Sequence, residues 1–180
     1  TAIHCGVCPI VRVDRDDDFM PRKILELGAG GIIFPQMESV EDVRRAVSMT
    51  KFPPIGKRGY SGMCWTGGWG AKSGAKWIEW SNTLPLVGIM IESVLTEPHL
   101  EEMIAVEGVD FALFGPADYS MSLGLGAPDG DHPRVVAVLE KMIEMARKHG
   151  RGAMMGYGTK KEAIIRCRDM GVTMIELDHD

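Results

Sequence analysis

The strongest constraint on this chain is an alternation that runs its length: short apolar runs, most of them separated by helical patterns, each ending in a polar or glycine-rich cluster. The six runs are Pro9–Val13, Gly31–Phe34, Leu86–Ile91, Phe111–Phe114, Ala153–Met155 and Thr173–Leu177. Their apolar character is nearly continuous, which suits strands covered on both faces of a parallel sheet. Between them, Ser39 with Asp42 and Thr159 with Glu162 have the spacing of capping boxes, where a hydroxyl and a carboxylate satisfy the free amides of a helix start. The longest helix is predicted over Asp131–His149, because Val135, Val138, Leu139, Met142, Ile143 and Ala146 form one apolar stripe. Arg147, Lys148 and His149 meet the negative end of its dipole, and Gly150 can leave it in a left-handed turn. Gly28 and Gly171 can close two other helices in the same way.

Repeated βα units pack as a parallel sheet, either open and doubly wound or closed into a barrel. In a barrel the chemistry gathers where strands end. Here the exits read Arg12 to Asp14, Pro35-Gln36, Glu92-Ser93, Gly115 to Asp118, Gly156-Tyr157-Gly158 and Asp178-His179-Asp180, and nearly every one is polar. A full (β/α)8 barrel takes about 250 residues. Six strands in 180 residues are therefore expected to form a barrel short of two βα units, or an open sheet. One domain over 1–180 is expected, since no low-complexity linker divides the chain. The irregular stretch from Lys51 to Lys76 is expected to be a loop over a site, with Trp65, Trp69, Trp77 and Trp80 packing it and its helix.

Charge and composition narrow the partners. A formal net charge of −5 without a basic block argues against nucleic acid or an anionic membrane and leaves a small metabolite. No stretch approaches the roughly 20 consecutive apolar residues of a membrane-spanning helix, and no signal-peptide pattern opens the chain, so a cytoplasmic setting is expected. Cys5, Cys8, Cys64 and Cys167 are too scattered for a secreted disulfide scaffold, and reduced thiols are expected. The chain starts at Thr1 and reaches its first strand almost at once, as the visible or processed part of a longer polypeptide would.

Several residues can carry chemistry. Glu92 and Asp118 follow apolar strands one strand-helix-strand unit apart. If those strands are neighbours, about 4.8 Å apart, both carboxylates can reach one hard divalent cation, magnesium or manganese, with positions open for water and substrate. The plainer reading is two acids separately solvated or ion-paired at loops. Gly115 to Ser120 can present backbone amides to a carboxylate, or be an ordinary tight turn. Arg12, at the polar end of an apolar strand, is expected to be buried and to need an anion: a substrate carboxylate or enolate, or Glu92 or Asp118 themselves. Arg58 is a second candidate, with an exposed loop charge as the plainer reading. Gly28 to Gly31 precedes a strand and so is not a dinucleotide fingerprint, and Cys5-Gly6-Val7-Cys8 lacks the second ligand pair of a zinc site.

Five segments, taken in order, resemble the HpcH/HpaI aldolase/citrate lyase family: Pro9 to Arg12, Phe34 to Ser39, Pro53 to Gly59, Ile89 to Glu92, and Val106 to Asp110 continuing through Phe114 to Asp118. The resemblance covers essentially the whole chain and is nearest to the class II, metal-dependent pyruvate aldolases of the 2-dehydro-3-deoxyglucarate aldolase kind. It implies a (β/α)8 TIM barrel of the phosphoenolpyruvate/pyruvate type, here lacking the first two βα units and the last helix. It also implies a divalent cation, Mg2+, Mn2+ or Co2+, held by Glu92 and Asp118. Arg12 would contact the keto acid, and the amides of Ala117 and Asp118 would hold its carboxylate. The implied reaction is reversible aldol cleavage of a 4-hydroxy-2-oxo acid to pyruvate and an aldehyde, in a homo-oligomer, hexamer or trimer.

The resemblance places a histidine that serves as base, or positions a water, in an early Gly-Glu-His segment that this sequence does not contain. Glu26 falls where some relatives carry an acid partnering that histidine, Met90 replaces a common glutamine, and Gln36 stands where a macrophomate-synthase-like branch has histidine. Two further expectations therefore stand beside the aldolase: an acyl-CoA lyase of citryl or malyl type or an oxaloacetate decarboxylase on the same scaffold, and a non-catalytic barrel fragment or binding protein.

Overall fold

A computed structural model of the protein describes residues 2–156 and 160–177. All six apolar runs are strands: β1 (Ile10–Arg12), β2 (Gly31–Phe34), β3 (Leu86–Ile91), β4 (Phe111–Phe114), β5 (Gly152–Gly156) and β6 (Met174–Glu176). Seven α-helices lie among the described residues: α1 (Met20–Glu26), α2 (Val40–Thr50), α3 (Gly74–Thr83), α4 (Leu100–Ala105), α5 (Pro116–Ser122), α6 (Pro133–Lys148) and α7 (Lys161–Met170). The Thr159 cap and the exits through Tyr157-Gly158 and Asp178-His179-Asp180 lie outside the described residues.

Every strand pairs in parallel with its neighbour in sequence, giving the order β1-β2-β3-β4-β5-β6. A doubly wound sheet reverses its order at a switch point. This one does not, so right-handed crossovers put successive helices on one side and the sheet curls as a half-barrel.

Two cores follow from that curl. Ile32, Phe34, Val87, Ile89, Ile91, Ala112 and Phe114 face the helices and pack with Val43, Val47, Met103, Ile104, Leu139 and Met142. The intervening residues Ile33, Met90, Phe111 and Leu113 form a second cluster, joined by the partly buried Ile10, Leu86, Met154 and Met174. Gly88 belongs to that inner face, where the Phe111 ring takes the space of the missing side chain: a Cβ on Gly88 would lie 2.2 Å from Cζ. Alternation decides where the chemistry points. Arg12 has the parity of Ile10, Glu92 that of Met90, and Gly115 that of Leu113, so all three continue the inner face past the carboxyl ends of their strands.

Local signals hold where they were strong. The Ser39 hydroxyl accepts from the Asp42 amide at 3.1 Å while the Asp42 carboxylate accepts from the Ser39 amide at 3.0 Å, completing the predicted capping box of α2. The longest helix begins two residues later than predicted, at Pro133, whose fixed φ suits a first turn, and His132 caps it. Gly28, Gly150 and Gly171 all have left-handed backbone after helices.

The 51–76 segment is irregular up to the start of α3, as expected, but its tryptophans divide. Trp77 is buried and stacks on Trp80 at 5.2 Å, whereas Trp65 and Trp69 are exposed. The pair on α3 packs in an apolar cluster with Phe52 and Cys64.

Candidate active site

Glu92 leaves β3 into a nearly closed environment. It is 7% exposed, and its Oε1 accepts a 2.7 Å hydrogen bond from the Gln36 amide at the exit of β2. That amide is aimed by an unusual backbone, since Gln36 has φ 52°, a left-handed conformation that a side chain makes costly by about 1–3 kcal/mol. On the other side lies Gly115, which follows β4. Its amide donates to the Ile91 carbonyl at 3.0 Å, and a Cβ placed there would stand 2.9 Å from both Cβ and Oε2 of Glu92. The glycine is what leaves room for the carboxylate. Oε2 accepts no hydrogen bond among the described residues.

Asp118 stands not directly at the strand end but in the first turn of α5, where the amides of Ala117 and Asp118 have no helical acceptor. Both residues are exposed. Burial pushes the Glu92 carboxyl above the usual range, the Gln36 amide pulls it down, the charge of Asp118 raises it again, and Arg12 lowers it. Glu92, Asp118 and Arg12 thus lie within electrostatic reach of one another. All three line one cavity of about 750 Å³ at the carboxyl ends of β1 to β4.

Arg12 departs from its expectation. It is exposed and makes neither a hydrogen bond nor an ion pair with Glu92 or Asp118. Among the described residues β1 pairs with β2 alone.

The cavity also contains residues that sequence reasoning missed. Arg15 lines it and is held by Glu38 at 3.1 Å and by Asp42 at 3.4 Å, which ties the cavity wall to the α2 capping box. Ser93 and Ser122 lie on the opposite wall. Nothing in the acidic run Asp14 to Asp18 distinguishes Arg15 from a solvated charge. Gly115 was readable as a glycine directly behind a strand, but the Gln36 backbone had no signal.

A hard divalent cation fits this donor set. The site offers oxygen ligands on adjacent strand exits, one of them desolvated and facing a like charge. No group of three or more His, Cys, Asp or Glu side chains able to hold a metal occurs among the described residues, so waters and substrate would complete the shell of a two-carboxylate site. Glu26 closes α1, paired with Arg22 at 2.7 Å. Cys5 and Cys8 are exposed free thiols before β1.

The sequence profile of the HpcH/HpaI aldolase/citrate lyase family matches residues 2–180. A hydroxypyruvate/pyruvate aldolase of Paraburkholderia phytofirmans is 30% identical over 184 aligned positions, covering 99% of this chain and 69% of the relative. A 2-keto-3-deoxy-L-rhamnonate aldolase of Klebsiella pneumoniae is 32% identical over 146, covering 81% of this chain and 54% of the relative. The crystal structure of an HpcH/HpaI aldolase from Desulfitobacterium hafniense superposes with a TM-score of 0.88 at 28% identity, over 99% of this chain and 68% of that one. The chain thus spans between about half and two thirds of the length of these relatives.

Proposed function

The chain belongs to the HpcH/HpaI aldolase/citrate lyase family, and from that premise we propose that it carries out metal-dependent carbon–carbon cleavage, releasing pyruvate and an aldehyde from a 4-hydroxy-2-oxo acid. The observation that carries this reading is the meeting of Glu92, Asp118 and Arg12 in one cavity at the strand exits. The six strands then belong to a (β/α)8 barrel of the phosphoenolpyruvate/pyruvate type.

Cleavage breaks the C3–C4 bond as the C4 hydroxyl passes its proton to a water molecule. An aldehyde leaves, and the electron pair passes to the keto acid as an enolate, which takes a proton back from water at C3 to become pyruvate. Glu92 and Asp118 would hold a divalent cation, which would supply Lewis-acid stabilisation of the negative oxygen. The protein's own groups do the rest. Arg12, without an ion pair among the described residues, offers its guanidinium to the keto-acid oxygens, adding positive charge where charge develops. The unpaired amides of Ala117 and Asp118 hold the carboxylate and fix its orientation. The Gln36 amide, donating to Oε1, favours the charged form of Glu92 against the opposing effect of its burial.

Pyruvate release from 4-hydroxy-2-oxo acids, measured with and without a chelator, tests the proposal. Activity should vanish with chelator and return with Mg2+ or Mn2+, and Glu92→Gln or Asp118→Asn should lower it about 10²-fold or more. Turnover indifferent to metal removal would refute it.

A further inference from the structure

A second cavity, of about 580 Å³, lies away from the strand exits, between α1, α2 and the loop at Lys57 to Gly59. Most of the charges around it cancel. Arg45 pairs with Asp18 at 2.5 Å and Arg44 with Glu41 at 3.7 Å, while Arg22 is held by Glu26 and Asp42 by Arg15 and the cap. Two cations on its wall, Lys57 and Arg58, make no ion pair among the described residues.

Arg58 is the anomaly. It is only 5% exposed, its Nε is buried without a hydrogen-bond partner, and its guanidinium makes no ion pair among the described residues. It lies over the Phe52 ring, 4.6 Å from the centroid. The expectation of an exposed loop charge fails here because Gly56 lets the loop fold tightly back on α2: a Cβ there would be 2.3 Å from the Lys51 carbonyl. Gly59 brings a second guanidinium close, since a Cβ on it would meet Arg22 at 2.8 Å. Burial lowers the Arg58 pKa, Glu26 offsets that, and Arg22 lowers it further. A buried guanidinium with unused donors, beside another cation, is stabilised chiefly by an anion.

We propose that this cavity is a binding site for a phosphoryl group, carried either by free phosphate or by a small organic ester. At neutral pH such a group carries a charge of about −1.5 to −2 and several strong acceptor oxygens, which matches two unpaired cations, one of them with a planar fork of donors. A cavity of this volume also admits an organic remainder. The site is separate from Arg12, Glu92 and Asp118, so it stands or falls independently of the aldolase reading.

Calorimetric titration of the 180-residue chain with inorganic phosphate, and in a second arm with glycerol 3-phosphate, tests the assignment at constant ionic strength against chloride. One-to-one saturable binding is expected. Arg58→Met should weaken it about tenfold or more, Lys57→Met severalfold, and Arg12→Met not at all. Lys57 is exposed, so its variant tests the site without a risk to folding. Preference for the ester identifies an organic ligand, and preference for phosphate identifies the free ion. Lack of saturation, full binding in both the Arg58 and Lys57 variants, loss of binding in Arg12→Met, or tighter binding of succinate than of phosphate would overturn the assignment.

Discussion

At the scale of single residues, the candidate active site depends on space as much as on charge. Glu92 can occupy its place only because Gly115 lacks a side chain. Gly115→Ala should therefore push the carboxylate away and weaken metal binding and turnover about tenfold, while the strand ladder and circular dichroism stay intact; unchanged metal affinity would remove Gly115 from the argument. The places of Glu92 and Asp118 behind β3 and β4 were legible because polar residues behind apolar runs are unusual enough to stand out. The environments of Arg12 and Arg58 were read the wrong way round. Burial of a long side chain is set by what the rest of the fold lays over it, as where the 51–59 loop closes over Arg58.

At the scale of elements, the α2 cap ties stability to the cavity wall. Burial works to raise the Asp42 pKa, but the Ser39 hydroxyl, the Glu38 amide, Arg15 and the Ser39 amide outweigh it, and the carboxyl sits below its usual range. A lowered folded-state pKa contributes stability that is complete above the unfolded value of about 3.9 and is lost as pH falls through the folded one. Asp42→Asn should flatten the stability profile below about pH 4, measured by urea unfolding at stepped pH. Ser39→Ala should cost about 1 kcal/mol, read as a lower urea midpoint with unchanged slope. Strands were legible because both of their faces are apolar, and α6 because sixteen residues repeat one stripe. α4 was legible only as a helix without bounds between β3 and β4, because a six-residue helix after a proline-containing 3₁₀ turn shows too little period.

At the scale of the whole molecule, the half-barrel has a helix-covered convex side and an inner side that ends in the candidate site. A cation bridging Glu92 and Asp118 would join the exits of β3 and β4 in the folded state only. Mn2+ at about a hundred times its dissociation constant should then raise the melting midpoint by roughly 5–10 °C. The Glu92→Gln/Asp118→Asn double variant should lose that rise, and a rise that survives would place the cation elsewhere. The barrel-type order was legible only as one of two options, since alternation of strands and helices does not say whether later strands add to one edge or to both. That order now bears on assembly. Because no strand is inserted between two earlier ones, each βα unit can be added to a growing edge as the polypeptide emerges from the ribosome. Scission in the long segment joining α2 to α3 would leave two separately expressed pieces that share one strand pairing, between β2 and β3, and the packing of α2 on α4, along which they can be reunited by complementation.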